Sequence, residues 1–122
     1  MNHEPIAEIV EQKSRFLGYA FEITDPLDFR PLKQKIRENN KAASHVVYAF
    51  VCGGSFSCSD DREPPHTAGS QILSEIQRSG QNNLAVVVVR YFGGKKLGKK
   101  NLALAYRECA RITIEKYLGM AK

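Results

Sequence analysis

The sequence has few cysteines, no long apolar run and no targeting leader, and each absence excludes a class of protein. Its three cysteines, Cys52, Cys58 and Cys109, are odd in number and lack the spacing of a disulfide framework. The longest strictly apolar run, Leu84–Val89, is far shorter than the ~20 residues of a membrane span. No basic segment followed by an apolar stretch opens the chain. We therefore expect a cytoplasmic protein in a reducing compartment.

The composition is that of an ordinary globular protein with an excess of positive charge. The chain has 122 residues, of which 43% are hydrophobic and 25% are charged, and neither a linker nor an internal repeat divides it. We predict a single domain over residues 1–122. The formal net charge of +5 favours polyanionic partners such as RNA, DNA or a ribosome.

Hydrophobic periodicity predicts four strands and three helices in the order ββαβαβα. The predicted strands are Ile6–Val10, Leu17–Ile23, His45–Cys52 and Leu84–Tyr91, and the predicted helices are Asp28–Asn39, Thr67–Ser79 and Asn101–Tyr117. Thr67 is expected to cap the second helix, and Gly53–Pro65 is predicted to be a loop. The unbroken apolar character of Leu84–Tyr91 places this strand in the middle of a sheet.

The turn between the last strand and the last helix is the first candidate site. Glycines there permit positive φ and let backbone N–H groups converge on an anion. The predicted anion- or partner-binding residues are Arg90, Gly93, Gly94, Lys95, Lys96, Gly98, Lys99 and Lys100. The spacing from Gly93 to Lys99 is that of a phosphate loop, but Lys100 replaces the hydroxyl that would bind Mg²⁺, so we reject an NTPase. The alternative interpretation is a tight connection with solvated lysines.

The second candidate site is an acidic loop with nearby histidines. Asp60, Asp61 and Glu63, together with His45, could form a metal or acid–base site of a small hydrolase. The competing interpretation is that these acids form turns and cap the next helix. The cysteines and His66 lack the paired spacing of a zinc site, and we predict no metal and no cofactor.

A set of short motifs gives the sequence a specific resemblance. Their order and spacing resemble the YigZ/IMPACT family over essentially the whole chain. The motifs are Lys13-Ser-Arg-Phe, Ser44-His45, Tyr48-Ala49, Ser59-Asp-Asp-Arg-Glu-Pro, Thr67-Ala-Gly, Ile72-Leu73, Val86–Val88, Arg90-Tyr-Phe-Gly-Gly, Lys96-Leu-Gly and Ala105-Tyr106.

The resemblance implies an α+β fold, a two-layer α/β sandwich like the second domain of the fifth small-subunit ribosomal protein. For the eukaryotic members it implies regulation of translation, and it supplies no accepted catalytic residue. The chain departs from the bacterial pattern at several positions. Arg62 and His66 stand where glycine is usual, Gln71 replaces a proline, Lys95 replaces an apolar residue, and Lys100 and Asn101 replace a glycine pair.

These observations favour a non-enzymatic regulator of translation or of the stress response. We expect it to bind RNA, a ribosome or an acidic protein through the basic turn, with the hydrolase of the acidic loop as the alternative. A two-layer domain would also leave one apolar sheet face uncovered, which predicts a homo-oligomer or a partner domain on that face.

Overall fold

The computed structural model describes residues 4–120 and confirms the mixed α/β fold. Three α-helices pack on a five-stranded sheet, and a short 3₁₀ turn, Pro26–Asp28, precedes the first helix. The strands are β1 (Ala7–Glu11), β2 (Ser14–Glu22), β3 (His45–Cys52), β4 (Ser55–Ser59) and β5 (Asn83–Tyr91), and the helices are α1 (Phe29–Asn39), α2 (Gly69–Ser79) and α3 (Lys99–Met120). None of the helices within this range is long and apolar enough to cross a membrane.

The sheet is antiparallel throughout, with the strand order β1-β2-β5-β3-β4. β5 pairs with both β2 and β3, and every side chain from Leu84 to Val89 is at most 1% exposed. The prediction of a central strand is therefore confirmed. A strand covered on both faces needs apolar residues at successive positions, because successive side chains point to opposite faces.

β4 was missed by the sequence analysis, and the prediction of a loop over the whole of Gly53–Pro65 is wrong at its start. The element order is ββαββαβα, because β4 forms a hairpin with β3 in which Cys52 pairs with Ser55. Gly53 and Gly54 make the two-residue turn, with Gly53 at φ +60°. A glycine pair between strand-like segments is a hairpin signal, but the polar composition of β4 concealed it.

Helices cover both faces of the sheet. Side chains of α2 and α3 pack on one face around Phe16, Val86 and Val88. On the opposite face, Phe29 of α1 packs against the rings of Tyr48 and Phe50, at 4.6 and 5.1 Å between centroids. The expectation of an uncovered apolar face is therefore wrong, and it no longer supports a homo-oligomer.

Candidate functional site

The basic turn, residues 92–100, leads from the end of β5 into α3. Gly94 and Gly98 have φ of +88° and +80°, a left-handed conformation in which most other residues are strained. Gly93 was also expected to have positive φ and does not. Position 93 needs glycine for a steric reason, because a Cβ there would lie 2.0 Å from the carbonyl oxygen of Lys13. The turn thus packs directly on the hairpin between β1 and β2.

Four lysines of the basic turn are exposed and free of nearby acids. They are Lys95, Lys96, Lys99 and Lys100. Across residues 4–120, no carboxylate lies within 4.0 Å of any of their ammonium groups. Exposed cations that lack a local counter-ion produce a positive surface potential, so the electrostatic potential of the basic turn is positive.

Arg90 differs from these lysines, because it is buried and its charge is paired. Its Nη1 atom donates to the two carboxylate oxygens of Glu63 at 2.8 and 3.0 Å, and its Nε and Nη2 atoms donate to Ser14 Oγ at 3.3 Å. The guanidinium also lies 5.6 Å from the ring centroids of Phe16 and Phe92. Arg90 therefore organises the end of β5, and the unpaired positive charge of this region belongs to the lysines.

Glu63 is the centre of a buried polar network. Besides the two bonds from Arg90, it accepts a 2.5 Å hydrogen bond from the hydroxyl of Tyr106 on α3. Burial, as the larger cause, and the negative charge of Glu63, as the smaller one, raise the pKa of Tyr106 far above its usual value of 10.0. Tyr106 is consequently a permanent hydrogen-bond donor at physiological pH.

His45 lies beside this network with a defined tautomer. Its Nδ1 atom is 2.8 Å from the backbone carbonyl oxygen of Asp61, and a carbonyl only accepts, so Nδ1 carries the hydrogen. The Nε2 atom lies 3.4 Å from Glu63, and the side chain is 22% exposed. In the neutral imidazole, Nε2 is therefore an acceptor, and it faces the Glu63 carboxylate, which is also an acceptor.

Asp60 and Asp61 maintain the loop rather than face a reaction centre. Asp60 accepts hydrogen bonds from the backbone N–H groups of His66 and Gly69, and Asp61 accepts one from the N–H of Val46. Asp60 thus satisfies the start of α2, and the prediction that Thr67 caps this helix is wrong. Since both carboxylates bind backbone groups, a hydrolase based on them loses support. No cluster of three or more candidate metal ligands occurs within residues 4–120.

A cavity of about 390 Å³ opens between the acidic loop and the basic turn. Its lining combines buried polar side chains, which we call its floor, with apolar side chains, which we call its wall, and two exposed lysines. The lining residues are His45, Glu63, Pro64, Arg90, Phe92, Lys96, Leu97, Gly98, Lys99 and Leu102. The structure therefore brings the two candidate sites together. Of the predicted residues, Asp60, Asp61, Gly93, Gly94, Lys95 and Lys100 do not line the cavity.

Ser14, Phe92 and Tyr106 contribute to this site, but none of them was predicted as a site residue. All three lie in motifs of the family resemblance. The Tyr106 hydroxyl was the available signal, because a tyrosine on the buried face of a helix needs a hydrogen-bond partner. That partner is 43 residues away along the chain, so no local pattern identifies it.

Comparison with known proteins identifies the family. The profile of the Impact N-terminal domain matches residues 12–114. This chain belongs to the Impact family. It is 35% identical over 102 residues to the IMPACT family member YvyE of Bacillus subtilis, covering 81% of this chain and 47% of that protein. It is also 31% identical over 117 residues to Protein IMPACT of Homo sapiens, covering 88% of this chain and 36% of the human protein.

Solved structures support the same assignment of this Impact domain. A hypothetical protein of known crystal structure matches with a TM-score of 0.83 and 30% identity, covering 92% of this chain and 59% of that one. The two-domain translational regulator Yih1 matches with a TM-score of 0.52 and 27% identity, covering 87% of this chain and 45% of Yih1. The chain spans about half the length of the bacterial Impact proteins that it matches, at 47% and 48% for the relatives from Bacillus subtilis and Haemophilus influenzae.

Proposed function

We propose that this Impact domain regulates translation by docking its basic turn on the phosphate backbone of structured RNA, such as ribosomal RNA. The observation that carries the proposal is the group of four exposed lysines without a carboxylate within 4.0 Å. Family membership and the likeness to the translational regulator Yih1 support a role in translation.

The geometry of the turn suits a phosphate backbone. Lysines act as flexible point charges, which neutralise phosphates without reading sequence. Within residues 4–120, no hydrogen bond to a protein acceptor is made by the N–H groups of Lys99, Lys100 and Asn101 at the start of α3. Helix starts with free N–H groups add partial positive charge.

The size of the electrostatic effect can be estimated. If the four lysines neutralise four phosphates of a duplex, the slope of log affinity against log salt is about −3.6. Affinity should then fall roughly 150-fold between about 50 and 200 mM salt. If binding depended on hydrogen bonds or apolar contacts alone, the affinity would change much less with salt concentration.

The test compares two variants with the same change of net charge. One replaces Lys95, Lys96, Lys99 and Lys100 by alanine, and the control replaces four other exposed cations, Arg30, Lys35, Lys41 and Lys116. Binding to ribosomes and to duplex RNA is measured by co-sedimentation and fluorescence anisotropy over a salt series. We expect the first variant to lose most of the affinity and the salt slope, and the control to retain both.

Two results would overturn the proposal. Equal losses in both variants would show that net charge acts without a defined docking site. Partner capture that survives nuclease treatment but still needs the four lysines would assign the turn to an acidic protein instead of RNA.

A further inference from the structure

The cavity beside the basic turn has features that docking on a phosphate backbone does not use. It is about 390 Å³ in volume, within the range of small-molecule sites, and a buried polar network forms its floor. We propose that it binds a ribonucleoside monophosphate, with the phosphate at Lys96 and Lys99, the base against Phe92, and a ribose hydroxyl at His45. This proposal does not depend on docking to duplex RNA.

The charges around the cavity favour an anion with two negative charges. On the floor, Arg90 and Glu63 compensate each other through hydrogen bonds of 2.8 and 3.0 Å. The uncompensated charges are the ammonium groups of Lys96 and Lys99, which line the cavity. Gly98 precedes α3 and has no side chain to cap the helix, so the first N–H groups of α3 add to the positive potential. Two cations and a helix start match a phosphate monoester better than a carboxylate with one charge.

The apolar wall favours a flat hydrophobic group attached to that anion. Pro64, Phe92, Leu97 and Leu102 line the cavity, and Phe92 is 48% exposed. An exposed aromatic ring beside cations is the arrangement on which nucleic-acid bases stack. The Arg90 guanidinium, 5.6 Å from the Phe92 ring centroid, restricts the position of that ring. A free inorganic anion would leave this wall in contact with water.

The floor favours a hydroxyl donor between the anion and the base. In the neutral imidazole, His45 Nε2 is an acceptor because Nδ1 donates to the Asp61 carbonyl, and it lies 3.4 Å from the Glu63 carboxylate, so that two acceptors face each other. Glu63 already accepts from Arg90 and Tyr106, so it contributes little further hydrogen bonding. A ribose carries hydroxyl groups between its phosphate and its base, whereas a fatty acid has neither a donor nor a planar ring. These features together select a ribonucleotide.

The experiment titrates the full chain with adenosine monophosphate and follows binding by calorimetry and by amide chemical shifts at Phe92, Leu97 and Gly98. The Lys96→Ala, Lys99→Ala double variant should bind at least about tenfold more weakly. The matched control, Lys95→Ala with Lys100→Ala, removes the same charge outside the cavity and should change the affinity less than about twofold. Phe92→Ala, at an exposed position that tolerates truncation, should weaken binding about fivefold or more.

Analogues test the remaining contacts. Inorganic phosphate and adenosine should each bind much more weakly than adenosine monophosphate. A dideoxy analogue without ribose hydroxyls should bind about fivefold more weakly to the unmodified protein, and His45→Ala should abolish that difference. A short RNA with a terminal phosphate monoester distinguishes the source of the ligand. If it binds, with the same dependence on Lys96, Lys99 and Phe92, and the free nucleotide does not, the natural ligand is an RNA end.

The proposal is overturned if neither millimolar nucleotide nor the RNA end changes the amide chemical shifts of Phe92, Leu97 and Gly98. It is also overturned if replacing either lysine pair weakens nucleotide binding by the same factor. The two proposals fail separately. Duplex docking should weaken with either lysine pair and be indifferent to Phe92, whereas nucleotide binding should depend on Phe92 and on the cavity pair alone.

Discussion

Replacing Glu63 by glutamine tests how much of the stability depends on the buried network. The side chains of Glu63 and Arg90 are 3% and 7% exposed, and their closest N–O distance is 2.8 Å. Glutamine keeps the shape of glutamate but removes the charge that compensates Arg90. Among residues 4–120, no other carboxylate lies within 4.0 Å of the Arg90 guanidinium, so its charge would be buried and unpaired.

The expected loss follows from measured costs of breaking buried ion pairs, which are about 3–5 kcal/mol. A typical domain has only about 5–15 kcal/mol of stability, so the variant would be close to unfolding. With an unfolding entropy of about 2.1 cal/mol/K per residue, the melting temperature should fall by roughly 12–20 °C. Thermal and urea unfolding, followed by circular dichroism, measure this directly.

Two further proteins make the result interpretable. Glu8→Gln removes the carboxylate of an exposed pair with Arg15, at 3.0 Å, and should leave the melting temperature nearly unchanged. The double variant Glu63→Leu, Arg90→Met removes both charges and should be less destabilised than the sum of the two single changes. A fall of less than about 4 °C for Glu63→Gln, or strict additivity in the double variant, would refute the reasoning.

Three other changes have defined outcomes in urea unfolding. Burial raises the pKa of Tyr106 in the folded state, so Tyr106 ionises in the unfolded chain first, above about pH 10. The free energy of unfolding therefore falls as the pH rises further. The Tyr106→Phe variant should lose less of it than the unmodified protein between about pH 8 and pH 11. Gly93→Ala should destabilise by about 1–3 kcal/mol, because the new Cβ would lie 2.0 Å from the Lys13 carbonyl oxygen. Arg62→Gly should be more stable than Arg62→Ala by about 1 kcal/mol, because residue 62 has φ +67°.

Each of these changes has its own control. For Tyr106→Phe, an alkaline slope equal to that of the unmodified protein would contradict the assignment. Gly119→Ala, on α3 with nothing within 4 Å of the new Cβ, should not destabilise, and a similar loss at both glycines would exclude a steric cause at Gly93. Equal stability of the two Arg62 variants would show that the backbone conformation there is not strained.

Much of the fold was predictable because its signals are local. The apolar run of β5 predicted a central strand, and helical spacing predicted α1, α2 and most of α3. One strand, β4, was missed because its serines resemble a loop and only its pairing with β3 makes it a strand. The position of α1 was also not predictable. A helix pattern shows which side is apolar but not which face of the sheet that side covers.

The candidate site was likewise predictable from the sequence only in part. The four lysines and the glycines of the basic turn all lie within residues 93–100, and local sequence therefore predicted where their charge lies. The acidic loop was recognised as a second cluster, but its members have different roles. Asp60 and Asp61 hold backbone groups, whereas Glu63 points into the protein toward Arg90.

By itself, the sequence determined the central position of β5, the charge of the basic turn and every strand and α-helix except β4, because these depend on residues within a few positions of one another. Only the tertiary structure decided that Glu63 meets Arg90, Tyr106 and His45, at separations of 27, 43 and 18 residues, and that Glu63, Arg90 and His45 line one cavity. Such contacts depend on how strands pair and which face each helix covers. Which group neutralises a buried charge depends on the distance between the two in space, and only the packed sheet and helices determine that distance.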